Sequence, residues 1–154
     1  MAINNIVDES FIINQKKLKQ FGDRCSNVKI GIMGGTFDPI HYAHLATAEF
    51  IRDNYKLDKI LFIPSGNPPH KKGNITDKYD RYNMVLLSTV NNDDFIVSDI
   101  EIKREKSTYT IDTLKVLKQI YKNAEIYFIT GADAICDIET WKDVEGNFKL
   151  ANFI

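Results

Sequence analysis

The chain has 154 residues, 44% of them hydrophobic and 27% charged, with a net charge of −1. That length is enough for one domain with a sizeable core, and the charge balance excludes a global basic field for nucleic acid or anionic lipid. The two cysteines, Cys25 and Cys136, are too far apart for a zinc signature and too few for a disulfide framework, which fits a reducing cytoplasm, and no apolar stretch approaches the ~20 residues of a membrane span.

Residues 1–27 read as a leader. Phe11, Ile12, Leu18 and Phe21 alternate with Lys16, Lys17 and Lys19, a spacing that predicts a short amphipathic helix over Glu9–Gln20. Its simplest role is a surface appendage; a partner-binding helix is the alternative. Asp8 and Glu9, with no long apolar run beside them, argue against a signal peptide.

From Val28 onward, strand and helix patterns alternate. Val28–Met33 reads as the first strand, and Tyr42–Asn54 as a helix with Leu45, Ala48, Ile51 and Tyr55 on one face. Lys59–Ile63 is an apolar run suited to a strand buried on both faces. A long loop to Ile75 holds three of the four prolines together with His70, Lys71 and Lys72. A helix over Asp77–Val90 follows, capped by Thr76, then a strand over Phe95–Ile100. A charged connection, Glu101 to Ser107, leads to a helix over Thr108–Lys122 whose Ile111, Leu114, Leu117 and Tyr121 share a face. Glu125–Thr130 is the fourth strand, Gly131-Ala132-Asp133 repeats the strand-then-glycine pattern, and Leu150–Ile154 begins another apolar run.

This alternation predicts a doubly wound parallel α/β sheet, Rossmann-like, with right-handed crossovers. With strand order 3-2-1-4-5, a ligand crevice opens at the carboxyl ends of strands 1 and 4. The turns Gly34-Gly35-Thr36 and Gly131-Ala132-Asp133 would then face each other.

The first turn runs into Phe37-Asp38-Pro39-Ile40-His41-Tyr42-Ala43-His44 and a helix start. Free N–H groups and the positive dipole end suit a phosphate there, and glycine permits close approach. The turn matches neither G-x-G-x-x-G nor G-x-x-x-x-G-K-[ST], so neither a dehydrogenase-type dinucleotide site nor a P-loop is supported. His41 and His44 share a face. Phosphate contact fits them best, because all three histidines fall in the loops after strands 1 and 2. Zinc ligation, which needs a third ligand, and a structural role are the alternatives. Thr36 is a phosphate donor or a turn cap; Asp38 is a turn residue or a contact to a substrate hydroxyl or metal. The Asn67–Lys72 loop is a solvated loop or a cationic lid. Trp141 packs in the core or stacks on a ligand ring.

These residues resemble a known family. Gly34–His44, with its G-G-T-F-D-P-I-H-x-x-H run, is similar to the H-x-G-H nucleotidyltransferase superfamily. Asn67–Lys71, Ser107–Leu114 and Gly131-Ala132-Asp133 with Trp141 narrow the resemblance to bacterial nicotinate-nucleotide adenylyltransferases, over about Lys29 to Ile154. The resemblance implies ATP and nicotinate mononucleotide as substrates, with Mg²⁺ carried by ATP, and a cytoplasmic enzyme of NAD biosynthesis. It implies catalysis by His41 and His44, which contact the ATP phosphates. It assigns Gly34, Gly35, Thr36, Phe37, Gly131 and Asp133 to ATP, and Thr108, Tyr109, Trp141, His70 and Lys71 to the mononucleotide. Two departures stand out. Ala43 occupies the place of the H-x-G-H glycine, and the chain ends at Ile154, ahead of the family's I-S-S-T-x-x-R motif. The expectation is a sheet incomplete at its C-terminal side, and the alternative function is a weak or inactive nucleotide-binding remnant. A related adenylyltransferase with another acceptor, such as phosphopantetheine, is a third reading.

Overall fold

The computed structural model, which describes residues 2–22, 26–68 and 74–154, realises the alternation. Its strands are β1 (Ser26–Gly35), β2 (Lys59–Pro64), β3 (Phe95–Val97), β4 (Asn123–Ile129) and β5 (Asn152–Phe153). Its helices are α1 (Ala2–Gly22), α2 (Tyr42–Tyr55), α3 (Lys78–Thr89), α4 (Thr110–Ile120), α5 (Ala132–Cys136) and α6 (Val144–Leu150), with a 3-10 turn at Ile138–Thr140. The sheet order is β3-β2-β1-β4-β5 and every neighbouring pair is parallel, the predicted 3-2-1-4-5 arrangement. β5 is two residues long, paired to Tyr127 and Phe128.

Strand alternation divides the apolar side chains between two layers. Ile60 and Phe62 join Met33, Val85 and Val97 on one face of the sheet. Leu61 and Ile63 join Ile30, Ile32, Leu114 and Leu117 on the other. The continuous apolar run of β2 is thus buried on both faces, as its sequence implies. In α4 the stripe Ile111, Leu114, Leu117 and Tyr121 is buried throughout.

Some boundaries move for identifiable reasons. β3 stops at Val97 because the Ser98 hydroxyl accepts the Ile100 N–H at 3.3 Å, turning the chain away from the ladder. The cap of α3 is Asp77, whose carboxylate accepts the Tyr79 N–H at 2.8 Å. Thr76, the predicted cap, instead gives its N–H to Asp38. α4 begins at Thr110, since Tyr109 is extended.

The leader is not a surface appendage. α1 spans the predicted helix and continues beyond both of its ends, and Ser10, Asn14 and Phe21 are buried. The Asn14 amide donates to the Val97 carbonyl and accepts the Val97 N–H, both at 2.9 Å. Lys17 Nζ donates to the carbonyls of Val90 and Asn92, both at 2.8 Å, just beyond α3. An edge strand presents unpaired N–H and C=O groups, and here one side-chain amide serves both. Asn14→Leu should therefore lower stability by about 2–4 kcal/mol, because two buried backbone groups lose their partners. The expected readout is a lower urea midpoint at unchanged slope.

Candidate active site

The carboxyl ends of β1 and β4 open into a cleft of about 720 Å³, a size typical of small-ligand sites. One end is built by the first glycine turn. Gly34, Gly35 and Thr36 line the cleft, with Asp133 and Thr130 opposite them, so the two glycine turns do face each other. The Ser65 N–H donates to the Gly35 carbonyl at 2.8 Å, which carries the β1–β2 ladder into the loop. A Cβ at Gly35 would lie 3.2 Å from the Phe37 ring, so glycine lets that ring lie close under the turn. Phe37 takes a left-handed φ of 49°, which costs a side-chain-bearing residue roughly 1–2 kcal/mol. Burial of its ring beside Phe62 offsets that cost.

α2 begins at the far side of this turn. His41 and His44 stack at 3.7 Å, and His44 meets the Phe37 ring edge-on at 5.1 Å. His44 Nδ1 accepts the His41 N–H at 3.2 Å, so the neutral ring carries its proton on Nε2. Burial, with the neighbouring His41 adding to it, holds the His44 imidazole below its ordinary pKa. The neutral form is therefore favoured near pH 7. Among the described residues, no group of three or more His, Cys, Asp or Glu side chains is placed to hold a metal ion.

The other end of the cleft is aromatic and hydroxylated. Thr108, Tyr109, Thr113 and Trp141 line it. Trp141 is partly exposed and stands edge-on to Phe128, with centroids 6.0 Å apart, so it both packs on the core and faces the cavity. Lys142 lies over the Tyr109 ring at 4.8 Å and pairs with Asp112 at 2.9 Å. Asn67 binds the facing loop: its amide donates to the Glu105 carbonyl at 2.9 Å, and its carbonyl accepts the Thr108 N–H at 3.3 Å.

The structure therefore gathers Gly34, Gly35, Thr36, Asp133, Thr108, Tyr109 and Trp141 around one cavity. His41 and His44 are not among the residues lining this cavity; they stand at the start of α2, with His44 against the Phe37 ring. Gly131 adjoins Asp133 at the N-cap of α5. The Phe37 ring belongs to the core, which leaves only its backbone to meet a nucleotide. The Asp38 carboxylate accepts the Thr76 N–H at 3.0 Å, which ties the glycine turn to the end of the loop after β2. His70 and Lys71 lie outside the described residues.

Sequence reasoning missed Arg81. Its guanidinium is 1% exposed and donates to four carbonyls: Thr36 at 2.6 Å, Ser65 at 2.8 Å, Gly66 at 3.1 Å and Thr76 at 2.9 Å. One side chain thus joins the glycine turn to both ends of the loop after β2. A signal was present: Arg81 precedes Val85 by four residues and Thr89 by eight, a cation on the buried stripe of its helix.

The cytidylyltransferase-like family model matches residues 32–154, leaving α1 outside it. A protein of Thermoanaerobacter sp. (strain X514) named "Probable nicotinate-nucleotide adenylyltransferase" is 57% identical over 129 residues, spanning 82% of this chain and 61% of that protein. Two solved structures of Plasmodium falciparum nicotinic acid mononucleotide adenylyltransferase also resemble it. The one complexed with NaAD has a TM-score of 0.68 at 31% identity, covering 77% of this chain and 59% of that one. The one complexed with APC has a TM-score of 0.69 at 29% identity, covering 82% and 62%. The chain spans about three fifths of the length of the curated relatives it matches.

Proposed function

Because the chain belongs to the cytidylyltransferase-like family, we propose that its cleft serves transfer of the ATP adenylyl group to nicotinate mononucleotide, giving nicotinate adenine dinucleotide and pyrophosphate. The observation that carries this reading is the single cavity joining the glycine turn to the Thr108, Tyr109 and Trp141 end. The names of the similar proteins support the choice of acceptor. A mononucleotide phosphate oxygen attacks the α-phosphorus in line, forming the new P–O bond as the bond to pyrophosphate breaks.

In this reading Gly34, Gly35 and Thr36 admit the triphosphate, and the first turn of α2 presents backbone N–H groups to it. His44 donates Nε2–H to a phosphate oxygen as charge develops, and His41 stacks behind it. Such preorganised donors stabilise the transferring group without forming a covalent intermediate. Asp133 and Gly131 border the adenosine. His70 and Lys71 are assigned to the acceptor phosphate by the family resemblance. Mg²⁺ would arrive on the triphosphate and neutralise its charge; the glycine turn offers backbone amides and the Thr36 hydroxyl, with the carboxylate of Asp133 opposite, which fits a metal carried by the substrate. No helix of the described residues is long and apolar enough to cross a membrane. The family resemblance supports a cytoplasmic reaction.

Ala43 favours a second reading, nucleotide binding without turnover. It is exposed in the first turn of α2, where a methyl group narrows the approach to the helix N–H groups. Incubation with ATP, Mg²⁺ and nicotinate mononucleotide separates the two: dinucleotide on chromatography supports transfer. Calorimetric binding of ATP without product supports the second reading, and failure to bind ATP removes both.

Trp141→Ala should weaken mononucleotide binding about tenfold and leave ATP binding within a factor of about two, as loss of a stacking surface predicts. Equal losses for the two ligands, measured by calorimetry, would mark Trp141 as structural.

A further inference from the structure

The acceptor end of the cleft contains a carboxyl group for which the reaction above has no use. Glu101 lies in the connection after β3 and lines the cavity. Its Oε1 accepts the Thr113 hydroxyl at 2.7 Å, and that hydroxyl oxygen accepts Arg104 Nη1 at 3.0 Å. Thr113, in the first turn of α4, is 3% exposed. The Glu101 backbone is held just as closely: a Cβ at Gly66 would collide with its carbonyl oxygen, so only glycine lets the loop after β2 press against it. Burial pushes the Glu101 carboxyl up, while the hydroxyls of Thr113 and Thr108 and the Arg104 charge hold it down.

A carboxylate at a cavity wall gives up part of its hydration. A staple needed only for stability would be cheaper away from the cavity. Here the chain of contacts runs from the cavity into the turn that carries Thr108 and Tyr109.

We propose that Glu101 is a positioning residue for the acceptor: through Thr113 and Arg104 it fixes the first turn of α4, and so sets Thr108 and Tyr109 across from Trp141. This rests on the reading of that end as the mononucleotide site. Glu101 acts through these neighbours and takes no part in bond making.

Trp141 is the only tryptophan, so its fluorescence reports this end of the cleft directly. In titrations of the full chain with nicotinate mononucleotide, Glu101→Ala should bind about tenfold more weakly than wild type. Glu101→Gln, which keeps an oxygen for the Thr113 hydroxyl, should recover to within about threefold, as a neutral hydrogen bond replaces a charged one. Thr113→Val, which keeps the shape of the side chain and removes only the hydroxyl, should match Glu101→Ala. ATP binding, followed by calorimetry, should stay at the wild-type value in all three. Glu101→Ala or Thr113→Val binding the mononucleotide like wild type overturns the proposal, as do parallel losses for both ligands. A wild-type chain whose fluorescence ignores the mononucleotide overturns the acceptor assignment itself, and this proposal with it.

Discussion

Arg81→Met should lower the unfolding free energy by about 3–5 kcal/mol, because four carbonyls that converge on a buried guanidinium lose a charged donor and an apolar chain of similar length supplies none. That is a large share of the roughly 5–15 kcal/mol by which a domain of this kind is stable, and the thermal midpoint should fall by about 10 °C. Arg81→Lys should recover little. An ammonium is a point donor, whereas the planar guanidinium reaches Thr36, Ser65, Gly66 and Thr76 at once from one fixed fork. Urea unfolding of both variants measures this. A methionine variant with the wild-type midpoint would show that the carbonyls find other donors. ATP affinity should fall with stability, since the Thr36 carbonyl belongs to the same turn that lines the cleft.

His44→Ala should reduce adenylyl transfer by about 10²–10³-fold, the usual loss when one preorganised donor to a developing charge is removed. The fold should survive. His44 is only partly buried, and its side chain contributes one hydrogen bond, accepted from the His41 N–H, a stack on the exposed His41 ring and an edge contact to Phe37. Chromatography of the dinucleotide gives the rate, and circular dichroism checks the fold. Unchanged turnover would remove His44 from the chemistry. The two variants therefore fail differently: Arg81→Met loses stability and binding together, whereas His44→Ala loses rate with the fold intact.

The contrast between them tracks what the sequence displays. His44 lies in a run of motif residues, and Leu61 and Leu114 lie in apolar patterns whose period names the element. Arg81 and Asn14 act through contacts between segments far apart in the chain, 45 residues for Arg81 and Thr36 and 83 for Asn14 and Val97. The helical stripe marks Arg81 as a buried cation, but no local pattern names the partners of either side chain. The charged connection after β3 looks solvated, yet Gly66 and Asn67 press on it from the loop after β2. Phe37 shows the opposite difficulty. Its place in the motif suggests ligand contact, but a left-handed backbone turns its ring into the core, and a phenylalanine gives no sign of a conformation that glycine normally signals. The strand order was readable because right-handed crossovers and short connections leave few alternatives.

The pairing of Asn14 with Val97 makes the two rims of the sheet unlike one another. On the β3 rim the last backbone N–H and C=O at that position are already answered by the Asn14 side chain. On the opposite rim β5 meets only two residues of β4. An extended segment arriving from another molecule would therefore find the backbone of Val97 already occupied. α1 thus guards the β3 edge of the sheet against an added strand at that position.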